Sequence, residues 1–380
     1  MKQWKRRTAI LGIAGMTAMG ILTGCGSMNN EDTVITVGEE SVPLGVANFY
    51  ARLQQAQYET YFASMMGTGP EEFWAQDSGD RKSYEESMKE NMLESLENLY
   101  LIRQHAEEYD VALTDEETAA IEDAAEQFEA DNADDEKEAV SGYQEYVKEY
   151  LELVTLQQKM QEPMQADADT EVSDEEAAMK GMQYVFFSFT TTDESGNSVD
   201  LSENEIATVR TTAQLFTDNL KGSENKDMEA AAQEAGIEVQ TATFNAESTS
   251  PNADLIAAAD ALTNVGDITD AVETDAGIYV AKLTTLLDRE ATDSNKETIV
   301  SERQQEAYNA LLDQWREDTE ITVNDKLWEK IDFQKQGVNI KTTETEDSAG
   351  TDSSTDTQSG TETEEGTDDS TETDGDTAAE

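Results

Sequence analysis

The sequence predicts an α+β protein, in which a mainly helical domain carries an inserted α+β domain and ends in a disordered acidic tail. Apolar residues recur at spacings of three and four over 44–66 and 80–109, which indicates helices with one buried face. The same pattern returns over 291–319. The longest apolar runs of strand length, at 182–189 and 277–283, lie between these segments.

The first predicted elements are a short strand pair and two helices. Residues 33–37 alternate apolar and polar side chains, and a turn at 38–40 leads to a second short run at 41–43. Helices are predicted over 44–66 and 80–109. The apolar stripe of the second helix consists of Met88, Met92, Leu93, Leu96, Leu99 and Tyr100.

A third helix is predicted to start after Thr114. This threonine precedes three acids, Asp115-Glu116-Glu117, which favour the positive end of a helix and form a capping box. Residues 131–138 are predicted to be a charged loop, and 139–164 a further helix. The acidic stretch at 167–176 is predicted to be a hinge between domains.

The middle of the chain combines strands with shorter helices. The apolar run at 182–189, the run at 237–244 and the run at 277–283 predict strands. Helices are predicted at 203–221, 226–235 and 253–262. The final long helix, 291–319, is expected to pack back on the N-terminal helices.

The N-terminal residues have the pattern of a secretory signal peptide. Lys2, Lys5, Arg6 and Arg7 precede an uncharged apolar run at 9–22, in the order of an n-region and an h-region. The run is shorter than the roughly 20 residues that a membrane-spanning helix needs. It therefore predicts export and removal rather than a permanent transmembrane anchor.

Cys25 is the predicted site of lipid attachment. The run ends in Leu22-Thr23-Gly24-Cys25, which resembles the lipobox of bacterial lipoproteins. Cys25 is the single cysteine of the chain, so an internal disulfide is excluded. We expect residues 1–24 to be cleaved and residues 25–32 to link the lipid to the folded part, on the extracytoplasmic face of the cell membrane.

Composition excludes several functions. The chain has 84 acidic and 25 basic residues, and such a surface repels nucleic acid. The segment 341–380 consists almost entirely of Thr, Ser, Gly, Asp and Glu, so it cannot bury a core and is predicted to be disordered. His105 is the single histidine and is predicted to lie on the surface, without a catalytic motif beside it. No metal-binding spacing and no phosphate loop occur, so no cofactor is expected.

The order of the predicted elements resembles that of the PrsA-type foldase lipoproteins and their periplasmic SurA-like relatives. One matching stretch in the helical part is Tyr100-Leu101-Ile102-Arg103-Gln104-His105-Ala106, followed by Val111 and Thr114-Asp115-Glu116-Glu117. The segment 262–272, followed by 277–283, is similar to the closing half of a parvulin domain. The resemblance implies a chaperone for unfolded or newly exported polypeptides that carries a parvulin-like peptidyl-prolyl isomerase domain.

The resemblance implies the following domain boundaries. The helical domain consists of 33–172 and the returning helices at 291–333, and the parvulin-like domain spans 177–288. Parvulins usually carry a histidine in their first and last strands, whereas Tyr184 and Tyr279 occupy those places here. These tyrosines are the candidate catalytic residues. Either they line a working prolyl pocket, or they are packed strand residues in a domain kept for binding.

Two other classes of protein remain open from the sequence. A solute-binding lipoprotein usually has two α/β lobes, but strands are predicted here in only one region. A purely structural surface protein would neither bind a small ligand nor prevent aggregation of unfolded chains. Ligand-induced thermal stabilisation and aggregation assays distinguish the three hypotheses.

Overall fold

The computed structural model describes residues 16–19, 28–66, 70–79 and 81–340. Cys25 and the predicted acidic tail, 341–380, lie outside the described residues. The predicted α+β class is confirmed, because long helices occur together with an antiparallel sheet of four strands.

The first part of the chain is mainly helical. Its elements are β1 (Met16–Met19), β2 (Thr33–Val37), β3 (Glu40–Pro43), α1 (Leu44–Met66), α2 (Pro70–Trp74), α3 (Tyr84–His105), α4 (Asp115–Asp131), α5 (Asp134–Val140) and α6 (Gln144–Met164). A single 3-10 turn, Ala106–Tyr109, follows α3.

The start of α4 is the predicted one. The Thr114 hydroxyl accepts the Glu117 N–H at 3.2 Å, and the Glu117 carboxylate accepts the Thr114 N–H at 2.9 Å. This reciprocal pair satisfies two backbone donors that the first helical turn leaves without partners. Local sequence is therefore sufficient to set this helix end.

The charged loop predicted at 131–138 is wrong, because α5 occupies Asp134–Val140. The Glu136 carboxylate accepts the Ala133 N–H at 2.8 Å, which starts the helix. The helix predicted to start at 139 begins at Gln144 instead, since Ser141 has a left-handed conformation. A Cβ on Gly142 would lie 2.7 Å from the Phe128 ring, so this break allows the chain to pass closely over α4.

The middle part contains the sheet. Its elements are β4 (Lys180–Ser188), β5 (Thr190–Thr192), β6 (Ser198–Asp200), α7 (Glu203–Gly222), α8 (Met228–Ala235), β7 (Gln240–Phe244), α9 (Ala253–Asp260), β8 (Val272–Glu273) and β9 (Gly277–Thr285). The main sheet is antiparallel, in the order β7-β4-β9-β8.

Helices cover both faces of this sheet. Val185 and Phe187 of β4 pack with Phe216 of α7 on one face. Tyr184 of β4 packs with Leu255 of α9 on the other face. Because both faces are buried, the strands are apolar at neighbouring positions as well as at alternate ones.

The last part of the chain returns to the helical part. Its elements are α10 (Arg289–Asp318), β10 (Ile321–Val323), α11 (Asp325–Trp328) and β11 (Gly337–Ile340). Strand β10 pairs with β2, and α10 lies against α3 and α6. Phe333 is completely buried beside Trp74, so the C-terminal segment belongs to the core of the helical part.

The acidic stretch predicted to be a hinge lies along α10. Asp174 forms ion pairs with Arg289 and Lys296, and Glu176 forms one with Arg303. Three cations of one helix thus hold the two acids. These ion pairs are exposed, so a hinge in this stretch stays a prediction.

Candidate functional site

The two candidate tyrosines lie side by side on the face of the sheet that α9 covers. Tyr184 is in β4 and Tyr279 in the neighbouring strand β9, with ring centroids 6.1 Å apart. Phe186 extends the row, because its ring centroid lies 4.4 Å from that of Tyr279. The fold therefore brings the two tyrosines together on neighbouring strands, as the sequence predicts.

Tyr184 is a packed residue. Its exposed fraction is 8%, and its hydroxyl donates to the Gln240 side-chain oxygen at 2.5 Å. Burial raises the pKa of Tyr184, and the nearby Tyr279 adds to the shift. The group is therefore neutral and already occupied by a hydrogen bond, so it is a poor contact for a prolyl substrate.

Tyr279 is more accessible than Tyr184. Its side chain is half-buried, and its hydroxyl makes no hydrogen bond within the described part of the chain. A tyrosine hydroxyl can both donate and accept. Of the two candidate residues, Tyr279 is thus the one whose polar group could contact a bound peptide.

Gly277 explains why β9 can approach β4 closely at this row of aromatic rings. A Cβ at this position would lie 2.3 Å from the Phe187 carbonyl oxygen and 2.6 Å from the Phe186 ring. Only a glycine fits between these atoms. The absence of a side chain at 277 therefore leaves room for the Phe186 ring beside Tyr279.

One edge of β4 is open beyond Tyr184. Strand β7 pairs only with Lys180–Tyr184, whereas β9 pairs with β4 as far as Ser188. The Phe189 N–H donates to Ala276 on the β9 side at 2.9 Å. Because main-chain groups alternate in direction along a strand, those of Phe186 and Ser188 point to the other edge, where β7 has already ended.

A cavity of about 240 Å³ follows this open edge. Its walls are formed by Phe186, Phe187, Ser188, Thr208, Val209, Thr212 and Ile237. The hydroxyls of Thr208 and Thr212 donate to backbone carbonyls of α7, at 3.0 and 2.9 Å. The helix thus presents mainly carbon to the cavity. Open main-chain groups beside an apolar wall can accept an extended peptide as an added strand.

Sequence reasoning did not identify this edge. Val185, Phe186 and Phe187 are apolar at consecutive positions, which indicates a strand with both faces buried but says nothing of its pairing. The end of β7 sets the open length, and β7 lies more than fifty positions further along the chain. Gly236, with φ of +68°, ends α8, and the next residue, Ile237, lines the cavity.

The described residues contain no cluster of three or more His, Cys, Asp and Glu side chains that could hold a metal ion. None of the helices built from these residues is long and apolar enough to cross a lipid bilayer.

Fold and site together define a class: a mainly helical protein with an α+β part, whose antiparallel sheet leaves the β4 edge unpaired beyond Tyr184. No family model and no curated protein sequence matches this chain. Solved structures that are similar to it include PrsA foldases and a SurA-like chaperone.

The PrsA foldase of Lactococcus lactis is 12% identical, with a TM-score of 0.33, over 79% of this chain and 99% of that one. The PrsA peptidyl-prolyl isomerase of Bacillus cereus is 16% identical, with a TM-score of 0.28, over 80% and 98%. A SurA-like chaperone of Campylobacter jejuni is 13% identical, with a TM-score of 0.27, over 77% and 99%. The sequence motifs predicted a resemblance to PrsA-type foldases and SurA-like proteins, and that prediction is confirmed. At these values no residue's role is carried over from them.

Proposed function

We propose that this protein is a lipid-anchored folding chaperone that holds unfolded or newly exported polypeptides outside the cytoplasm. The observation that carries the proposal is the open edge of β4 at Phe186 and Ser188, beside an apolar cavity of about 240 Å³. An extended chain can pair with such an edge through its backbone, whatever its sequence. A holding chaperone needs this tolerance, because its clients share a backbone and not a motif.

The charge of the chain supports the same function. The formal net charge of −59 disfavours nucleic acid and anionic surfaces as partners. It also keeps the protein soluble while an apolar client segment is bound. Attachment of a lipid to Cys25 would place this activity at the membrane surface, where exported chains emerge.

The inserted domain is proposed to act mainly by binding, not by prolyl isomerisation. Isomerisation needs a pocket that stabilises a twisted amide against a barrier of about 18–20 kcal/mol. The burial of Tyr184 and its hydrogen bond to Gln240 leave Tyr279 as the single accessible hydroxyl of the pair. We therefore expect weak or no catalysis of prolyl exchange.

A matched pair of substitutions tests the binding site. Thr212→Glu places a charge in the cavity wall, whereas Thr211→Glu makes the same change one position along α7, outside the cavity. Both residues are exposed, so both variants should fold. We expect Thr212→Glu to reduce the suppression of client aggregation several-fold and Thr211→Glu to leave it unchanged.

The outcomes separate the parts of the proposal. Equal activity of both variants would remove the β4 edge as the binding site. Failure of the unaltered chain to suppress aggregation of several unfolded clients would contradict the chaperone function. Rapid prolyl exchange in an X-Pro peptide, lost in Tyr279→Phe, would show that the domain is a working isomerase after all.

A further inference from the structure

The N-terminal strand β1 lies in the apolar run of the predicted leader and pairs with β11. The two strands are antiparallel, with Met16 opposite Ile340, Thr17 opposite Asn339 and Met19 opposite Gly337. An extended apolar segment of this chain is thus seated on the β11 edge through backbone pairing.

The inner edge of β11 is held by side chains of α1. The Glu59 carboxylate accepts the Val338 N–H at 2.7 Å, and the Thr60 hydroxyl accepts the Ile340 N–H at 3.1 Å. Because backbone groups alternate along a strand, the groups of Gly337 and Asn339 point outward to β1. The N–H and C=O groups of these two residues are therefore the ones that the outer edge offers to a pairing strand.

The segment that leads to β11 is fixed by a buried polar network. Arg52 is 2% exposed, and its guanidinium donates to the carbonyls of Asp332 and Gln336, at 3.2 and 3.0 Å. Gln55 donates to the Gln336 carbonyl at 2.7 Å. An edge anchored in this way needs little ordering when a peptide pairs with it, which lowers the entropic cost of binding.

The charge beside the β11 edge selects the flanks of a bound segment. Helix α5 lies next to β1 and carries four acids and one lysine in seven residues, Asp134–Val140. In the sequence, the apolar run that contains β1 is preceded by Lys2, Lys5, Arg6 and Arg7. Basic flanks are thus attracted to the acidic helix, whereas acidic flanks are repelled.

We infer that the outer edge of β11 is a second polypeptide-binding site, for an extended apolar segment flanked by lysine or arginine. The chain's own leader occupies it until cleavage before Cys25 vacates the edge, and a client segment of the same composition then takes its place. The inference rests on the leader cleavage that the sequence predicts and on the proposed function for the nature of the client. It differs from the β4 edge in position and in charge preference.

Backbone alternation gives a sharp test that leaves the protein unchanged. A full chain with a protease recognition sequence in 20–27 is immobilised, cut and washed, and a fluorescent peptide copy of residues 5–22 is titrated onto it. N-methylation of Thr17 removes an N–H that points to Asn339, whereas N-methylation of Ala18 removes one that points away. We expect roughly tenfold weaker binding for the Thr17 peptide and unchanged binding for the Ala18 peptide.

Two further measurements complete the test. Uncut chain should bind the peptide at least tenfold more weakly than cut chain, and a peptide with glutamate in place of its basic residues should also bind more weakly. Equal effects of the two N-methyl groups, or equal binding to cut and uncut chain, would overturn the inference. Aggregation assays report the proposed function separately, so peptide pairing without chaperone activity would leave this site standing and remove only that function.

Discussion

The imidazole ring of His105 stacks on the indole ring of Trp315, with centroids 4.3 Å apart and planes 5° apart. His105 ends α3, and Trp315 lies in the last turns of α10, so the contact joins the first helical part to the returning helix. The sequence predicted a surface position for His105. Its side chain is 23% exposed instead, because a residue far along the chain covers it.

Replacement of Trp315 by alanine should therefore loosen α10. Trp315 is 5% exposed, and we expect Trp315→Ala to lower the free energy of unfolding by about 3 kcal/mol. His105→Ala should cost about 1 kcal/mol, the typical value of one aromatic pair. Urea denaturation followed by circular dichroism measures both. Leu215→Ala is the control, because Leu215 is 57% exposed, and an equal loss there would contradict the packing of α10.

Helix ends set by neighbouring residues could be predicted from the sequence, whereas those set by distant contacts could not. Thr114 and Glu117 carry their capping partner within three positions, and α4 begins where the sequence predicts. The break at Ser141 depends on the approach of Gly142 to Phe128, which no local pattern encodes. The charges at 134–138 are typical of a loop. A short acidic helix is stable only when it packs against the rest of the fold, which the local sequence does not show.

For the candidate site, the positions of the two tyrosines could be predicted from the sequence, but the hydrogen bonding of their hydroxyls could not. The resemblance to parvulins placed Tyr184 and Tyr279 at matching positions, and the sheet brings their rings to 6.1 Å. Whether each hydroxyl is free could not be read from the sequence, because it depends on Gln240 at the first position of β7. The open edge of β4 depends on where β7 ends, which is a property of pairing between distant segments.

The close approach of β9 to β4 predicts that a methyl group at position 277 is not tolerated. Gly277→Ala would place its Cβ 2.3 Å from the Phe187 carbonyl oxygen, so the strands must separate. We expect a loss of about 1–3 kcal/mol and faster hydrogen exchange at the amides of β4. Gly222→Ala is the control, since nothing lies within 4 Å of its Cβ and helix propensity favours alanine. Equal exchange in the two variants would contradict the packing at Gly277.

The two tyrosines should respond differently to loss of their hydroxyls. Tyr184→Phe removes the hydrogen bond that the buried Tyr184 hydroxyl donates to the exposed Gln240 side chain, so the free energy of unfolding should fall by about 0.5–1 kcal/mol. Tyr279→Phe removes a hydroxyl without a hydrogen bond in the described part of the chain and should be nearly neutral. Thermal denaturation of both variants provides the measurement. Equal losses would mean that the Tyr279 hydroxyl has a structural role.

The ion pairs between the acidic stretch and α10 should control proteolysis of that stretch. Asp174 and Glu176 are held by Arg289, Lys296 and Arg303, and exposed pairs of this kind are screened by salt. We expect Arg303→Gln, or high salt with the unaltered chain, to speed cleavage at 167–176 by a Glu-specific protease. The melting temperature should barely change. An unchanged cleavage rate in both cases would show that the stretch is held by other contacts.

Glu59 should make stability depend on pH in an unusual direction. Burial raises the pKa of Glu59 above its ordinary value of 4.5, although hydrogen bonds from Trp74, Gln55 and the Val338 N–H oppose the shift. A raised pKa means that the folded state binds the proton more tightly than the unfolded state. The stabilisation from this group is therefore complete below pH 4.5 and is lost as the pH rises through the folded-state pKa.

The variant Glu59→Gln cannot titrate, and its amide leaves one of the three donors without an acceptor, at a cost of about 1–3 kcal/mol. The stability difference between the unaltered chain and this variant should therefore be larger at pH 4 than at pH 7.5. Glu86 gives the opposite sign, because the Ser83 N–H lowers its pKa. The difference between the unaltered chain and Glu86→Gln should shrink as the pH falls through that lowered value. Urea titrations between pH 3.5 and 7.5 measure both, and parallel curves for the two variants would show that Glu59 is not buried as described.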